Sequence, residues 1–238
     1  MEKEYKKIAI IPVYNEGEKP KNIVREVPKG SVDEIIIVDD GSDDGTYDII
    51  KDLNVKIIRH KSNQGVGSAI RSGLNWGLEN NFDIAVILSG SGKTPPFQIP
   101  KLLKPLYDGY DFVQGSRYLK GGRLENAPVH RSLGTRAYSI LFSFFSRIKI
   151  TDASSGFRAF YLKILKDKRI NLNQSWLDTY ELEPYLLFKI LKLNYKFIEV
   201  PVQIIYTSER KNYTKMKPIL DWWRIFRPLL FLTFKIKN

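Results

Sequence analysis

The chain has 238 residues, 43% hydrophobic and 27% charged, with no cysteine and a net charge of +12. That much apolar chain can bury a core. The composition rules out disulfides and thiolate metal centres, and with His60 and His130 as its only histidines it argues against a zinc site of ordinary make-up. The basic balance suits anionic partners: an anionic membrane face, phosphorylated substrates or nucleic acid.

Residues 1–7 are charged and lead straight into a strand pattern, unlike a secretory signal. Strands are expected at 7–13, 34–39, 55–59, 84–88 and 112–115, with helices near 20–27, 45–53, 65–79 and 98–107. This is the rhythm of a parallel sheet. The strand runs lack polar alternation, as when helices cover both faces. Open sheets of this kind bind ligands beyond the carboxyl ends of their strands. Tyr14, Asn15, Glu16, Asp39, Asp40, Ser89 and Ser91 fall there.

Further on, 131–146 reads as an aromatic-rich helix, 156–161 as a strand, 181–193 as a helix, and 195–205 as a strand broken by Pro201. The stretch 216–237 mixes Trp222, Trp223, Phe226, Phe231 and Phe234 with Arg224, Arg227, Lys235 and Lys237. That mixture suits a helix lying in a membrane interface, and equally one packing on its own core. The longest apolar candidate, Ile225 to Ile236, is interrupted by Arg227, Pro228 and Lys235, and no run reaches the ~18–20 residues that span a bilayer. With no linker and no repeat, 1–238 is expected to be one domain: a nucleotide-binding half (1–115), an acceptor half (116–215) and a C-terminal amphipathic helix (216–238).

Local chemistry sharpens this. Pro12-Val13-Tyr14-Asn15-Glu16 ends a strand at a residue without an N–H, freeing the next side chains for a base. Asp39 and Asp40 precede a glycine turn, a placement that suits ribose hydroxyls and base N–H groups. Gly65 and Gly67 open the helix carrying Arg71, and a helix start favours phosphate. Ser91-Gly92-Lys93-Thr94 is not a P-loop: Ile87 stands where the first glycine belongs, and Pro95 and Pro96 remove N–H donors. No nucleic-acid motif is present and the basic residues are spread along the chain, so nucleic acid is not an expected partner.

Taken together, these runs resemble family 2 glycosyltransferases of the GT-A fold, and Gln114-Gly115-Ser116-Arg117-Tyr118 with Arg131 resembles dolichyl- and polyprenyl-phosphate sugar transferases such as dolichyl-phosphate mannose synthase. Asp152 to Arg158 and the Glu199-Val200-Pro201 strand extend the resemblance over most of the chain. It implies an α/β, Rossmann-like three-layer fold with a mostly parallel mixed sheet. It implies inverting transfer from a nucleotide-diphosphate sugar to a polyprenyl phosphate, by a protein peripheral to the cytoplasmic face of an anionic membrane. Transfer to a sugar hydroxyl in glycan assembly, or binding without catalysis, are the alternatives.

The implied nucleotide site is Pro12, Tyr14, Glu16, Asp39, Asp40, Gly65, Arg71, Ser89 and Ser91; the acceptor site is Arg117, Arg131, Arg158, Arg210 and Lys215. Lys93, Arg117, Arg131, Glu181 and Glu183 are the catalytic candidates, with Asp152 a further possible base for a hydroxyl acceptor. Where the family carries an Asp-x-Asp motif for Mg²⁺ or Mn²⁺, this chain has Ser89-Gly90-Ser91, so no metal ligand is assigned. Lys93 is expected to take over part of that charge.

Overall fold

A computed structural model describes residues 4–206 and 220–237. The expected Arg210 and Lys215 therefore lie outside the described residues. Nine strands and seven helices are described: β1 (Lys7–Val13), α1 (Lys19–Glu26), β2 (Glu34–Asp39), α2 (Thr46–Ile50), β3 (Lys56–Arg59), α3 (Val66–Glu79), β4 (Ile84–Ile87), α4 (Ile99–Tyr107), β5 (Phe112–Ser116), β6 (Arg123–Glu125), α5 (Val129–Ser146), β7 (Arg158–Tyr161), α6 (Leu182–Lys192), β8 (Phe197–Pro201), β9 (Gln203–Ile205) and α7 (Leu220–Thr233).

Seven strands form one sheet in the order β3-β2-β1-β4-β7-β5-β8. β7 is antiparallel to both of its neighbours, and the other pairings are parallel. The period of two along β1 divides the core. Ile8 and Ile10 pack on one side with α3, α5, α6 and Leu229 of α7; Ala9, Ile11 and Val13 pack on the other with Ile23 of α1 and Leu102 of α4. The result is three layers, helix–sheet–helix, with the strands' carboxyl ends open at one edge.

The expected strand 195–205 is two strands. β8 belongs to the large sheet, whereas β9 pairs with β6, an element with no clear sequence pattern. Pro201 closes β8 and the chain turns out of the sheet there. The 156–161 strand begins two residues late, at Arg158, although the Phe157 carbonyl still accepts from Gly115 N–H at 2.8 Å.

Two local features place the site. Leu88 N–H bonds to Ile10 O, so even-numbered residues of β1 face β4. Pro12 then presents no N–H toward β4 and the ladder stops. The chain leaves the sheet as the Ser89–Lys93 loop, and a Cβ at Gly90 would lie 2.3 Å from the Pro12 carbonyl oxygen, so only glycine fits that crossing. At the start of α3, a Cβ at Gly67 would lie 2.1 Å from the Leu177 carbonyl oxygen, and Ser68 N–H bonds to Asp178 O at 2.9 Å. The 175–179 turn is thus seated on the N-terminus of α3.

Candidate active site

A cavity of about 660 Å³ opens at the carboxyl ends of β1, β2 and β4, within the size range of small-molecule sites. It is lined by Pro12, Tyr14, Glu16, Asp40 and Gly65 from the nucleotide half, by Ser89, Ser91 and Lys93 from the loop after β4, and by Arg117, Arg131, Arg158 and Glu183 from the second half. Most of the residues singled out in the sequence therefore meet in one place. Asp39, Arg71 and Glu181 do not line it.

Those three corrections have physical causes. Asp39 is fully buried, ion-paired to Arg59 Nε at 3.2 Å and accepting from Ser42 N–H. Arg71 points to the 172–178 segment, donating to Leu172 O at 3.1 Å and to Asp178 Oδ1 at 2.5 Å. Glu181 is fully buried, held by Arg227 of α7 and by the Thr179 hydroxyl. Gly65 reaches the cavity, but the helix start behind it is already occupied by the Asp178 carbonyl, so the expected phosphate site at the α3 N-terminus is taken.

Asp40 faces the cavity with its carboxylate largely engaged. Oδ1 lies 2.6 Å from His60 Nδ1 and accepts from Gln64 N–H at 2.9 Å; Oδ2 accepts from Gly65 N–H at 2.7 Å. His60 continues to Ser72 Oγ through Nε2 at 2.9 Å. Sequence reasoning missed His60; its position just past the third strand was the available signal.

The cationic side is graded. Arg117 is buried and forks onto Asp152, Nε to Oδ2 at 2.6 Å and Nη2 to Oδ1 at 3.1 Å, so most of its charge is matched. Asp152 is fully buried in that pair and does not line the cavity. Glu199 fixes the segment from beneath, accepting from Thr151 and Asp152 N–H groups, with burial raising its own pKa. Arg158 is buried against Ser155 O, Glu183 O and the Glu183 carboxylate at 3.3 Å.

Lys93 and Arg131 flank Tyr206. The Lys93 ammonium is 5.0 Å from the ring centroid, and Arg131 Nε donates to the hydroxyl at 2.9 Å. Burial, reinforced by the Arg131 charge and opposed by Glu16, pushes the Lys93 pKa down to about 8. Tyr206 also escaped the sequence reading. So did the contribution of α7, which brings Asp221, Trp222, Arg224 and Ile225 to the cavity. α7 packs inward through Leu229, a Phe145–Phe226 edge contact and a Tyr138 hydroxyl bond to Ile225 O.

The residues present do not fit the metal site that the family's Asp-x-Asp motif would build. Ser89 and Ser91 offer neutral hydroxyls bonded to each other at 2.7 Å, whereas hard dications recruit carboxylates. Among the described residues no cluster of three or more His, Asp or Glu side chains could hold a metal. The cavity carboxylates are committed elsewhere: Glu16 to Lys19, Asp40 to His60 and two backbone N–H groups, Glu183 to Arg158, and Asp221 to Arg224.

Comparison with known proteins agrees with this architecture. The family model for glycosyl transferase family 2 matches residues 8–168. A UDP-N-acetylglucosamine–dolichyl-phosphate N-acetylglucosaminyltransferase of Methanococcus voltae is 34% identical, covering 94% of each chain. An undecaprenyl-phosphate mannosyltransferase of Micrococcus luteus is 30% identical over 83% of each chain. Among solved structures, glucosyl-3-phosphoglycerate synthase of Mycobacterium tuberculosis with UDP superposes with a TM-score of 0.72 at 16% identity, covering 98% of this chain and 82% of that one. The same synthase has been solved with Mn²⁺, UDP and phosphoglyceric acid, at a TM-score of 0.66, 17% identity and coverage of 84% and 69%. The protein is a glycosyltransferase of the GT-A fold. The chain belongs to glycosyl transferase family 2.

Proposed function

We propose that the chain transfers a sugar, with inversion, from a nucleotide-diphosphate sugar to a polyprenyl phosphate. The observation that carries this reading is the meeting of Arg117, Arg131 and Lys93 across one cavity from Tyr14 and Asp40. The relatives named for dolichyl- and undecaprenyl-phosphate transfer support it. We read 1–238 as a single domain, because β7 from the second half is inserted between β4 and β5 of the first.

The nucleoside lies along Pro12, Tyr14 and Asp40, and the diphosphate over Ser89, Ser91 and Lys93. A phosphate oxygen of the acceptor attacks the anomeric carbon in line. The bond from that carbon to the diphosphate oxygen breaks, and the electron pair leaves with the nucleoside diphosphate. The acceptor is already an anion, so no proton needs to be removed. A sugar-hydroxyl acceptor would need a base, and the cavity's candidate for it is Glu183, ion-paired to Arg158 at 3.3 Å with Oε1 accepting no hydrogen bond.

Charge develops on the leaving diphosphate, and preorganised cations there contribute most. Lys93 and Arg131 are placed for that role, while Arg117, stiffened by Asp152, orients the acceptor phosphate. Any dependence of donor binding on Mg²⁺ or Mn²⁺ is expected to be weak. Among the described residues no helix is long and apolar enough to cross a membrane. We read the protein as bound peripherally at the cytoplasmic face of a membrane, where a nucleotide-sugar donor and a lipid acceptor can both reach it. The test is transfer of labelled sugar from a panel of nucleotide sugars to a short-chain polyprenyl phosphate in detergent. An acid-labile glycosyl-phospholipid product is expected. Product on a glycan instead, or no donor consumed, overturns the reading.

A further inference from the structure

α5 carries apolar side chains on two opposite sides, and only one of those sides is covered. Tyr138 and Phe142 point into the core, and Phe145 packs against Phe226. On the opposite side Val129 (75% exposed), Leu133 (63%), Ile140 (70%) and Phe144 (76%) stand in solvent. Their helical phases fall within one stripe, because each step is four or seven residues. A contiguous patch of this kind marks an interaction surface rather than ordinary exposure.

Charge decides the partner. From Val129 to Lys149 the chain has no acidic residue, and Arg136, Arg147 and Lys149 border the stripe. Two copies packed through this face would bring those cations together. An anionic bilayer instead takes the apolar side chains below the headgroups and the arginines and lysine among them. We propose that α5 is the membrane-docking face of the protein and lies in the plane of an anionic bilayer, its outer stripe immersed.

The placement has a structural consequence. The inner side of the same helix, through Arg131, Thr135 and Tyr138, lines the cavity, so one helix thickness separates bilayer from active site. Trp222 lines the cavity, is partly exposed and packs on Gly134 of α5, where a Cβ would lie 2.8 Å from the indole. A lipid phosphate can enter at that seam while its tail stays among the acyl chains. Only this last step rests on the proposed function; the docking face stands on α5 itself. For 216–238 the sequence allowed a membrane helix and a core helix equally; α7 packs inward through Phe226 and Leu229 and leaves Trp223 exposed.

Because the chain has no cysteine, single labelling sites are straightforward. Phe144→Cys, Phe97→Cys and Phe234→Cys, each carrying an environment-sensitive fluorophore, are mixed with phosphatidylglycerol-containing or pure phosphatidylcholine vesicles. The label at position 144 should shift to the blue with the anionic vesicles and lose that shift in high salt; those at 97 and 234 should not shift. The I140E/F144E variant should bind anionic vesicles at least tenfold more weakly, while its thermal stabilisation by nucleotide sugars is unchanged. Equal binding by the variant, an unshifted label at 144, or equal binding to neutral vesicles overturns the proposal. So does a wild-type dimer that I140E/F144E dissociates, since a second copy would then cover the stripe. No turnover is measured, so failure of the transferase reading leaves this result standing.

Discussion

Asp40, which lines the cavity, lies 2.6 Å from His60 behind it, and the same carboxylate holds the N–H groups of Gln64 and Gly65. It braces the loop leading into α3 as well as facing the nucleoside. Asp40→Ala leaves several buried donors without an acceptor, each costing about 1–3 kcal/mol. The variant is expected to lose roughly 2–5 kcal/mol of stability together with donor affinity. Urea unfolding measures the first and calorimetry the second. Lost affinity at unchanged stability would mean that the loop does not depend on Asp40.

Lys93 gives a pH signature. Its pKa is pushed down to about 8 from the ordinary 10.5, so the folded chain binds fewer protons than the unfolded chain between those values. Stability of the ligand-free protein should therefore rise with pH across that interval. Donor affinity should fall over the same interval as the ammonium is lost. A bound diphosphate recharges Lys93, so nucleotide binding at pH 8 should take up roughly half a proton. Calorimetry in buffers of different ionisation enthalpy reads this, and Lys93→Met should abolish it. Proton uptake that survives the substitution would assign it to another group.

The serine pair predicts how a metal matters. Donor affinity of the natural chain should change less than about threefold between EDTA and Mn²⁺, because two neutral hydroxyls add little to a phosphate-bound ion. The S89D/S91D variant should bind donor more tightly with Mn²⁺ than with EDTA. A strong Mn²⁺ requirement for binding by the natural chain would show that other groups recruit the ion.

Glu181 tests structure against chemistry. It is buried beneath α7 with Arg227 as its partner, so Glu181→Gln should cost roughly 2–4 kcal/mol. Transfer per folded molecule should stay within about threefold of the natural chain, since one pKa unit of lost barrier stabilisation would already be tenfold. A collapse of turnover in a fully folded variant would return Glu181 to the catalytic set.

The strands of the nucleotide half were legible because a parallel sheet buried on both faces leaves unbroken apolar runs, as in Ile8–Ile11 and Ile35–Val38. Which acidic residue faces ligand was not. Asp39 and Asp40 are adjacent at a strand end, so they point opposite ways, and nothing local says which way is inward. Glu181 and Glu183 differ by two helical positions, about 200° of rotation, with the same ambiguity. Arg71 was lost to a partner, Asp178, more than a hundred residues away. Aromatic and basic residues in 216–237 fit a membrane helix and a core helix alike. Phe226, Leu229 and Phe231 make inward contacts while Trp222 and Trp223 stay exposed, and a further exposed apolar stripe lies on α5.

α7 completes the lining of the cavity. During synthesis, the first strands and α3 can pair and pack while later residues are still being added. Asp221, Trp222, Arg224 and Ile225 reach the cavity only from α7, and Glu181 stays a lone charge in the core until Arg227 arrives. A chain in which α7 has not yet docked therefore has a formed nucleotide half and an unfinished acceptor side, and docking of α7 is what closes the site.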